Sequence, residues 1–237
     1  MKTPLDVCGV LIPFYKNKEQ LQKCVASLGG KVKHFVKDDS ETENGFTKTV
    51  NSLLKESVYL GSSVSGYVVV LNQDCYLKPD AVENMVSFMD EHPRCAIAGI
   101  KQLSDKDEDQ IIHGGTRECF PTGIHEIGLV SRGDCNKEKQ VPWVNGACMI
   151  VRLEALLEIG LMDPNYKMFG SDADWGYTAR ARNWECWYIP QAVCVHEQGV
   201  SKGQDEKMGK IFQSDMRYFR DKWLVGELYK DLSLEVF

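Results

Sequence analysis

The chain has 237 residues, long enough to bury one sizeable hydrophobic core. Its 43% hydrophobic and 26% charged residues are globular values and exclude wholesale disorder. The formal net charge of −6 argues against a whole-surface grip on nucleic acid, while a local basic patch is still allowed. Nine cysteines form no C-x-x-C pair, which excludes a zinc ribbon and a dithiol redox motif. Cys8, Cys148 and Cys194 sit in apolar runs and read as small core residues in a reducing compartment. The N-terminal stretch lacks a signal-peptide pattern, and no apolar run approaches bilayer length. The expected location is cytoplasmic.

The first hundred residues alternate between two periods. Residues 7–14 form a continuous apolar run, the mark of a strand buried on both faces. Asn17 can cap a helix carrying Leu21, Cys24, Val25 and Leu28, which Gly29 and Gly30 end. A second strand is expected at 32–36, then the polar turn Asp38-Asp39-Ser40 and a helix with Phe46, Val50, Leu53 and Leu54. A third strand spans 67–71 and runs into Asn72, Gln73 and Asp74. Pro79 opens the next helix, and a fourth strand covers 95–100. This β-α-β-α-β-α-β order predicts an α/β fold: a doubly wound, Rossmann-like single domain with a mostly parallel central sheet.

From Ser104 the pattern breaks, and 114–139 reads as a functional loop. A strand is expected at 141–152, a short helix at 153–159 and another at 172–182. Two short strands flank Pro190, and a final helix covers 204–223. Residues 201–223 carry six Lys and Arg against four Asp and Glu, with Tyr218, Phe219 and Trp223 between them. That pattern fits either a helix packed on the core or peripheral contact with an anionic membrane.

Ligands of doubly wound sheets bind beyond the carboxyl ends of the strands. Here those ends carry Pro13 and Tyr15, then Asp38 and Asp39, then Asn72, Gln73 and Asp74. The first loop has no glycine, so neither a dinucleotide fingerprint nor a P-loop is present. A carboxylate-held divalent cation is the natural substitute for cradling a phosphate.

Six segments then resemble glycosyltransferase family 2, of the GT-A fold, in order along residues 5–200. They are Val10-Leu11-Ile12-Pro13-Phe14-Tyr15, Lys37-Asp38-Asp39-Ser40, Val70-Leu71-Asn72-Gln73-Asp74, Trp143-Val144-Asn145-Gly146-Ala147, Phe169-Gly170-Ser171-Asp172-Ala173-Asp174-Trp175, and Tyr188-Ile189-Pro190 to Val195-His196. The L-N-x-D form is similar to that of rhamnosyltransferase-like members. The resemblance implies an inverting transferase using a UDP- or dTDP-sugar. It divides the chain into a nucleotide-sugar half (1–103), an acceptor half (104–200) and a helical extension (201–237). It implies Asp172 as general base. Pro13, Tyr15, Asp38, Asp39, Asn72, Gln73 and Asp74 fall on the donor side. Trp143, Asn145, Gly146, Asp174 and Trp175 fall on the acceptor side, where a glycan, a lipid-linked sugar or another hydroxyl is expected and a modified nucleic-acid base stays open. Asp74 and His196 are expected to hold Mn2+ or Mg2+.

Two positions depart from the family pattern. Asn72 stands where a first acidic ligand is usual, which weakens the hold on a hard cation. Ser171 replaces the usual Glu before the base. The residues also have plainer readings, since Asp38 and Asp39 suit an Asx turn and Asp172 an N-cap. Other functions consistent with the core are a non-catalytic nucleotide-sugar binder and a sugar-nucleotidyltransferase.

Overall fold

The structure is a computed structural model that describes residues 8–56, 66–117, 123–197 and 206–226. In chain order it begins with β1 (Cys8–Phe14), α1 (Lys18–Ser27), β2 (Lys33–Asp38), α2 (Phe46–Leu54), β3 (Tyr67–Leu71), β4 (Cys75–Leu77), α3 (Ala81–Glu91) and β5 (Cys95–Ser104). Short strands β6 (Gln110–His113), β7 (Thr116–Arg117), β8 (Ile124–His125), β9 (Gly128–Leu129) and β10 (Lys139–Gln140) follow. The chain then forms β11 (Cys148–Arg152), α4 (Leu153–Ile159), α5 (Ser171–Arg180), β12 (Glu185–His196) and α6 (Glu206–Arg220).

The main sheet runs β10-β12-β5-β11-β3-β1-β2. β1 is parallel to β2 and β3, and β5 is parallel to β12. β11 is antiparallel to both β3 and β5 and separates them. The strand at 95–100 therefore does not neighbour the third strand, as simple alternation implies. The long excursion between β5 and β11 lets the chain return from the opposite end and fill the gap.

Side-chain alternation sends the strand residues to two cores. Val10, Ile12, Val69 and Leu71 pack with Met85 and Met89 of α3. Leu11, Val68 and Val70 pack on the other face with Val50 and Leu54 of α2 and Leu156 of α4. This two-sided burial explains why these strands read as unbroken apolar runs. Asn17 caps α1 as expected, its side chain accepting the Gln20 N–H at 3.2 Å.

The strands expected around Pro190 are one twelve-residue strand, β12. Its pairing with β5 shifts register between Ile189 and Val193, and that irregularity absorbs the proline. The stretch expected as strand from 141 begins pairing only at Cys148. Eight cysteines are free thiols, seven of them buried, and Cys119 lies outside the described residues. Among the described residues, no helix is long and apolar enough to cross a membrane.

α6 lies against the segment that leads into α5. Asp215 is buried and accepts the N–H groups of Lys167, Met168 and Phe169 at 3.1, 2.9 and 2.9 Å. Phe219 and Trp223 pack against Tyr166 and Tyr177. The aromatic face considered for membrane contact is thus turned inward. Residues 201–205 of that patch lie outside the described residues.

Candidate functional site

β4 and β12 bring Asp74 and His196 together beyond the end of β3. His196 is opposite Cys75 in antiparallel register, and its Nε2 lies 3.6 Å from Asp74 Oδ2. The hydrogen-bond chain behind the ring fixes its tautomer. The Ala147 N–H can only donate, and it donates to Asn145 Oδ1 at 2.9 Å. Gln102 Nε2 donates to that same oxygen at 3.1 Å. Gln102 Oε1 therefore faces His196 Nδ1 at 2.9 Å and accepts its proton. With Nδ1 donating to Gln102, Nε2 is the ring nitrogen left facing the Asp74 carboxylate at 3.6 Å, where both can serve as ligands to one cation.

Asn72 Oδ1 is also buried, with no hydrogen-bond partner among the described residues. Asp74, Cys75 and His196 form a cluster whose potential ligand atoms all lie within 4.8 Å of one another. Burial holds the Cys75 thiol well above its ordinary pKa, so Asp74 and His196 are the natural ligand pair. The donor set fits a divalent cation.

Asp172 is the second residue of α5 and half-buried. Its Oδ2 accepts the Gly146 N–H at 2.9 Å, and its Oδ1 accepts the Ala173 N–H at 2.9 Å. Gly146 permits this approach, since a Cβ there would lie 3.1 Å from Phe46 and 3.4 Å from the Asp172 Cβ. Gly170, with φ +75°, turns the chain into the helix. A helix N-terminus ordinarily favours a carboxylate as the anion, but here burial dominates. Burial pushes the Asp172 carboxyl above its ordinary value, outweighing the Gly146 and Ala173 N–H groups and His125, which lower it. A raised carboxylate pKa suits a base that must accept a proton during turnover.

Beside these groups lies a cavity of about 710 Å³, lined by Gln102 and Asn145 but not by Asp74, His196 or Asp172. Gln102, Asn145, His113 and His125 form its polar wall, and Ile111, Ile127 and Leu129 its apolar wall. Gln102 ties the cavity to His196, and Asn145 precedes the glycine that holds Asp172.

The sequence model described as "Glycosyltransferase like family 2" matches residues 15–217. The chain belongs to this family. Among curated proteins it is similar to N-acetylglucosaminyl-diphospho-decaprenol L-rhamnosyltransferase from two strains of Mycobacterium tuberculosis. Identity is 25% over 160 residues, covering 60% of this chain and 50% of each relative. The chain thus spans about half the length of the curated relatives it matches. A solved structure of GalNAc-T7 with UDP, GalNAc and Mn2+ superposes with a TM-score of 0.62 at 14% identity. That match covers 95% of this chain and 54% of that one. It establishes a shared GT-A fold.

In this family 2 chain the other predicted site residues divide into two groups. Phe14 pairs with Asp38 in register, so the ends of β1 and β2 adjoin. Pro13 is half-buried there, and Tyr15 is exposed, its hydroxyl donating to Glu43 at 3.1 Å. Asp38 is exposed, with one oxygen accepting the Ser40 N–H at 2.8 Å. Asp39 is turned inward instead. It accepts from Thr42, Asn44 and Gly45 at 2.5, 2.9 and 2.8 Å and shapes the loop before α2. Gln73 clamps the Tyr15 peptide, accepting its N–H at 2.5 Å and donating to its carbonyl at 3.1 Å.

On the acceptor side, Asn145 lines the cavity and the Gly146 N–H holds Asp172, while three other residues lie elsewhere. Trp175 is in the core, donating to the Gly160 carbonyl at 2.9 Å. Asp174 is buried and accepts from Tyr166, Lys222 and Trp223 at 3.1, 3.0 and 2.6 Å. Trp143 is buried behind the wall, edge-on to His125 at 5.3 Å between ring centroids. Helical geometry explains the split in α5: with Asp172 facing the crevice, residues 174 and 175 turn toward the core and α6.

Gln102, His113 and His125 were not anticipated. A buried Gln in an apolar strand is the one local signal, and the strand runs four residues past its predicted end at 100. Gln102→Leu removes the group that orients His196. Divalent-metal affinity should fall by about 10–100-fold, as outer-shell losses typically do, with little change in thermal stability. Calorimetric titration with Mn2+ measures this, and unchanged affinity excludes the orienting role.

Proposed function

We propose that this chain is an inverting glycosyltransferase that moves a sugar from a pyrimidine nucleoside diphosphate to an acceptor hydroxyl. The observation that carries this reading is the single hydrogen-bonded chain around the cavity. It runs from His196 through Gln102 and Asn145 to Ala147, and the neighbouring Gly146 N–H holds Asp172. This linkage supports a reading in which a leaving-group site at Asp74 and His196 and a base at Asp172 serve one reaction centre.

Asp38 accepts the N3–H of a uracil or thymine ring beside Pro13 and Tyr15. Asp74 and His196 hold a divalent cation, Mn2+ or Mg2+, which when bound neutralises charge on the diphosphate. Asp172 takes the proton of the acceptor hydroxyl while that oxygen attacks the anomeric carbon. The bond to the diphosphate oxygen breaks on the opposite face, and configuration inverts. Residues 1–103 serve the donor, 104–200 the acceptor, and the extension from 201 braces the base segment. The relatives' printed activity supports a rhamnosyl donor and a lipid-linked amino-sugar acceptor as the first pair to assay.

Nucleotide binding should be pyrimidine-selective, because Asp38 offers an acceptor to a ring N–H that ADP and GDP do not present there. Calorimetry should show UDP or dTDP binding at least tenfold more tightly than either purine nucleotide. Such a gap is about 1.4 kcal/mol, within reach of one charge-assisted hydrogen bond. Equal affinities would remove Asp38 from base recognition.

A further inference from the structure

Tyr15, at the end of β1, is 41% exposed, yet it is held at both ends. Gln73 clamps its peptide, and its hydroxyl donates to Glu43 at 3.1 Å. The clamp continues inward. Gln73 Nε2 also donates to Gln20 Oε1 at 3.2 Å, and Gln20 Nε2 donates to Glu197 Oε2 at 2.9 Å. The Tyr76 hydroxyl donates to that same carboxylate oxygen at 2.5 Å. Glu197 directly follows His196, and its main-chain N–H donates to the Asp74 carbonyl at 2.9 Å.

The polarity of this chain is dictated from both ends. The Tyr15 N–H can only donate and the Glu197 carboxylate can only accept, so the Gln73 and Gln20 amides each have one orientation. Gln20 is buried on α1, where a fully partnered amide is rigid. We infer that Gln20 and Glu197 are positioning residues for the donor: through Gln73 they hold Tyr15 as a preset platform for the pyrimidine ring. This rests on the donor reading given above. Aromatic rings stack on the faces of bases, and a platform fixed beforehand loses less freedom on binding. Lys16 Nζ lies over one face of the Tyr15 ring, 4.6 Å from its centroid, which assigns the base to the other face. The chain ends on the peptide of Asp74, so the base platform and a cation ligand share one frame. A nucleoside diphosphate spanning both requires such a frame.

The test is calorimetric titration of the full chain with UDP at fixed Mn2+, for wild type, Gln20→Leu, Gln20→Glu, Tyr15→Ala and the double variant Tyr15→Ala/Gln20→Leu. Gln20→Leu cuts the chain. Gln20→Glu keeps the side-chain size but sets a second carboxylate against Glu197. Each should weaken UDP binding about three- to tenfold, and either alone decides if the other does not fold. In the Tyr15→Ala background, Gln20→Leu should cost less than about twofold, because the platform it serves is gone. Mn2+ affinity without nucleotide should stay within about twofold of wild type, because the main-chain bond from Glu197 to Asp74 remains. Unchanged UDP affinity in the Gln20 variants, a parallel fall in Mn2+ affinity, or a UDP loss that persists in full after Tyr15→Ala overturns the inference. If wild type binds UDP and the Gln20 variants are silent, only this positioning role fails. If wild type binds no pyrimidine nucleotide, the donor reading fails with it.

Discussion

Asp172→Asn should lower kcat by about 10²–10⁴-fold, the usual worth of a positioned general base. Donor affinity should stay near wild type, because Asp172 bonds to Gly146 and Ala173 and not to the proposed cation ligands Asp74 and His196. The Asn oxygen can keep one of the two N–H groups from Gly146 and Ala173, but its NH2 cannot accept the other. The Tm should therefore fall by only a few degrees. The same carboxylate sets a pH limit. A base works only when deprotonated, and burial raises the Asp172 pKa. The acid limb of kcat/KM should therefore lie above the ordinary aspartate value of about 3.9. A variant retaining more than a tenth of wild-type turnover would place the base elsewhere.

Asp174, two residues along the same helix, should behave in the opposite way. It is buried and carries Lys222, Trp223 and Tyr166 on its carboxylate. Burial pulls the Lys222 ammonium down, but Asp174 and Asp163 more than reverse this and keep it charged. Removing one member of a buried ion pair typically costs about 3–5 kcal/mol. Lys222 keeps Asp163 at 2.8 Å, which places Asp174→Ala toward the lower end of that range. The expected loss is on the order of 10 °C in Tm, with kcat per folded molecule within a few-fold of wild type. Thermal denaturation and active-site-titrated kinetics measure both. An unchanged Tm would show that the network does not hold the C-terminal segment.

These two aspartates also show where sequence reading stops. Both occupy the first turn of a helix after a glycine, and nothing local separates a carboxylate facing a crevice from one facing the core. The difference comes from the helical turn that follows α6, whose Trp223 arrives from 49 residues away. Continuous apolar strands, the Asn17 cap and the polar strand ends at Asp38 and Asp74 were legible because each is a local pattern. The place of β11 between β3 and β5 was not, because strand order depends on long-range pairing. Nor was His113, since its partner His125 belongs to a two-residue strand in a stretch without periodicity. Asp39 looked equivalent to Asp38 until the loop to Gly45 folded back over its carboxylate.

The most direct measurement is nucleotide release from a panel of UDP-, dTDP-, GDP- and ADP-sugars. It is run on the full chain with Mn2+ or Mg2+ and a polyprenyl-diphosphate amino-sugar acceptor, with and without EDTA. Inverting pyrimidine-sugar transfer predicts release of UDP or dTDP alone, abolished by EDTA and by Asp172→Asn, with the new glycosidic bond of opposite anomeric configuration to the donor. Equal release from purine donors, full turnover in EDTA, or a product that retains the donor configuration would contradict it.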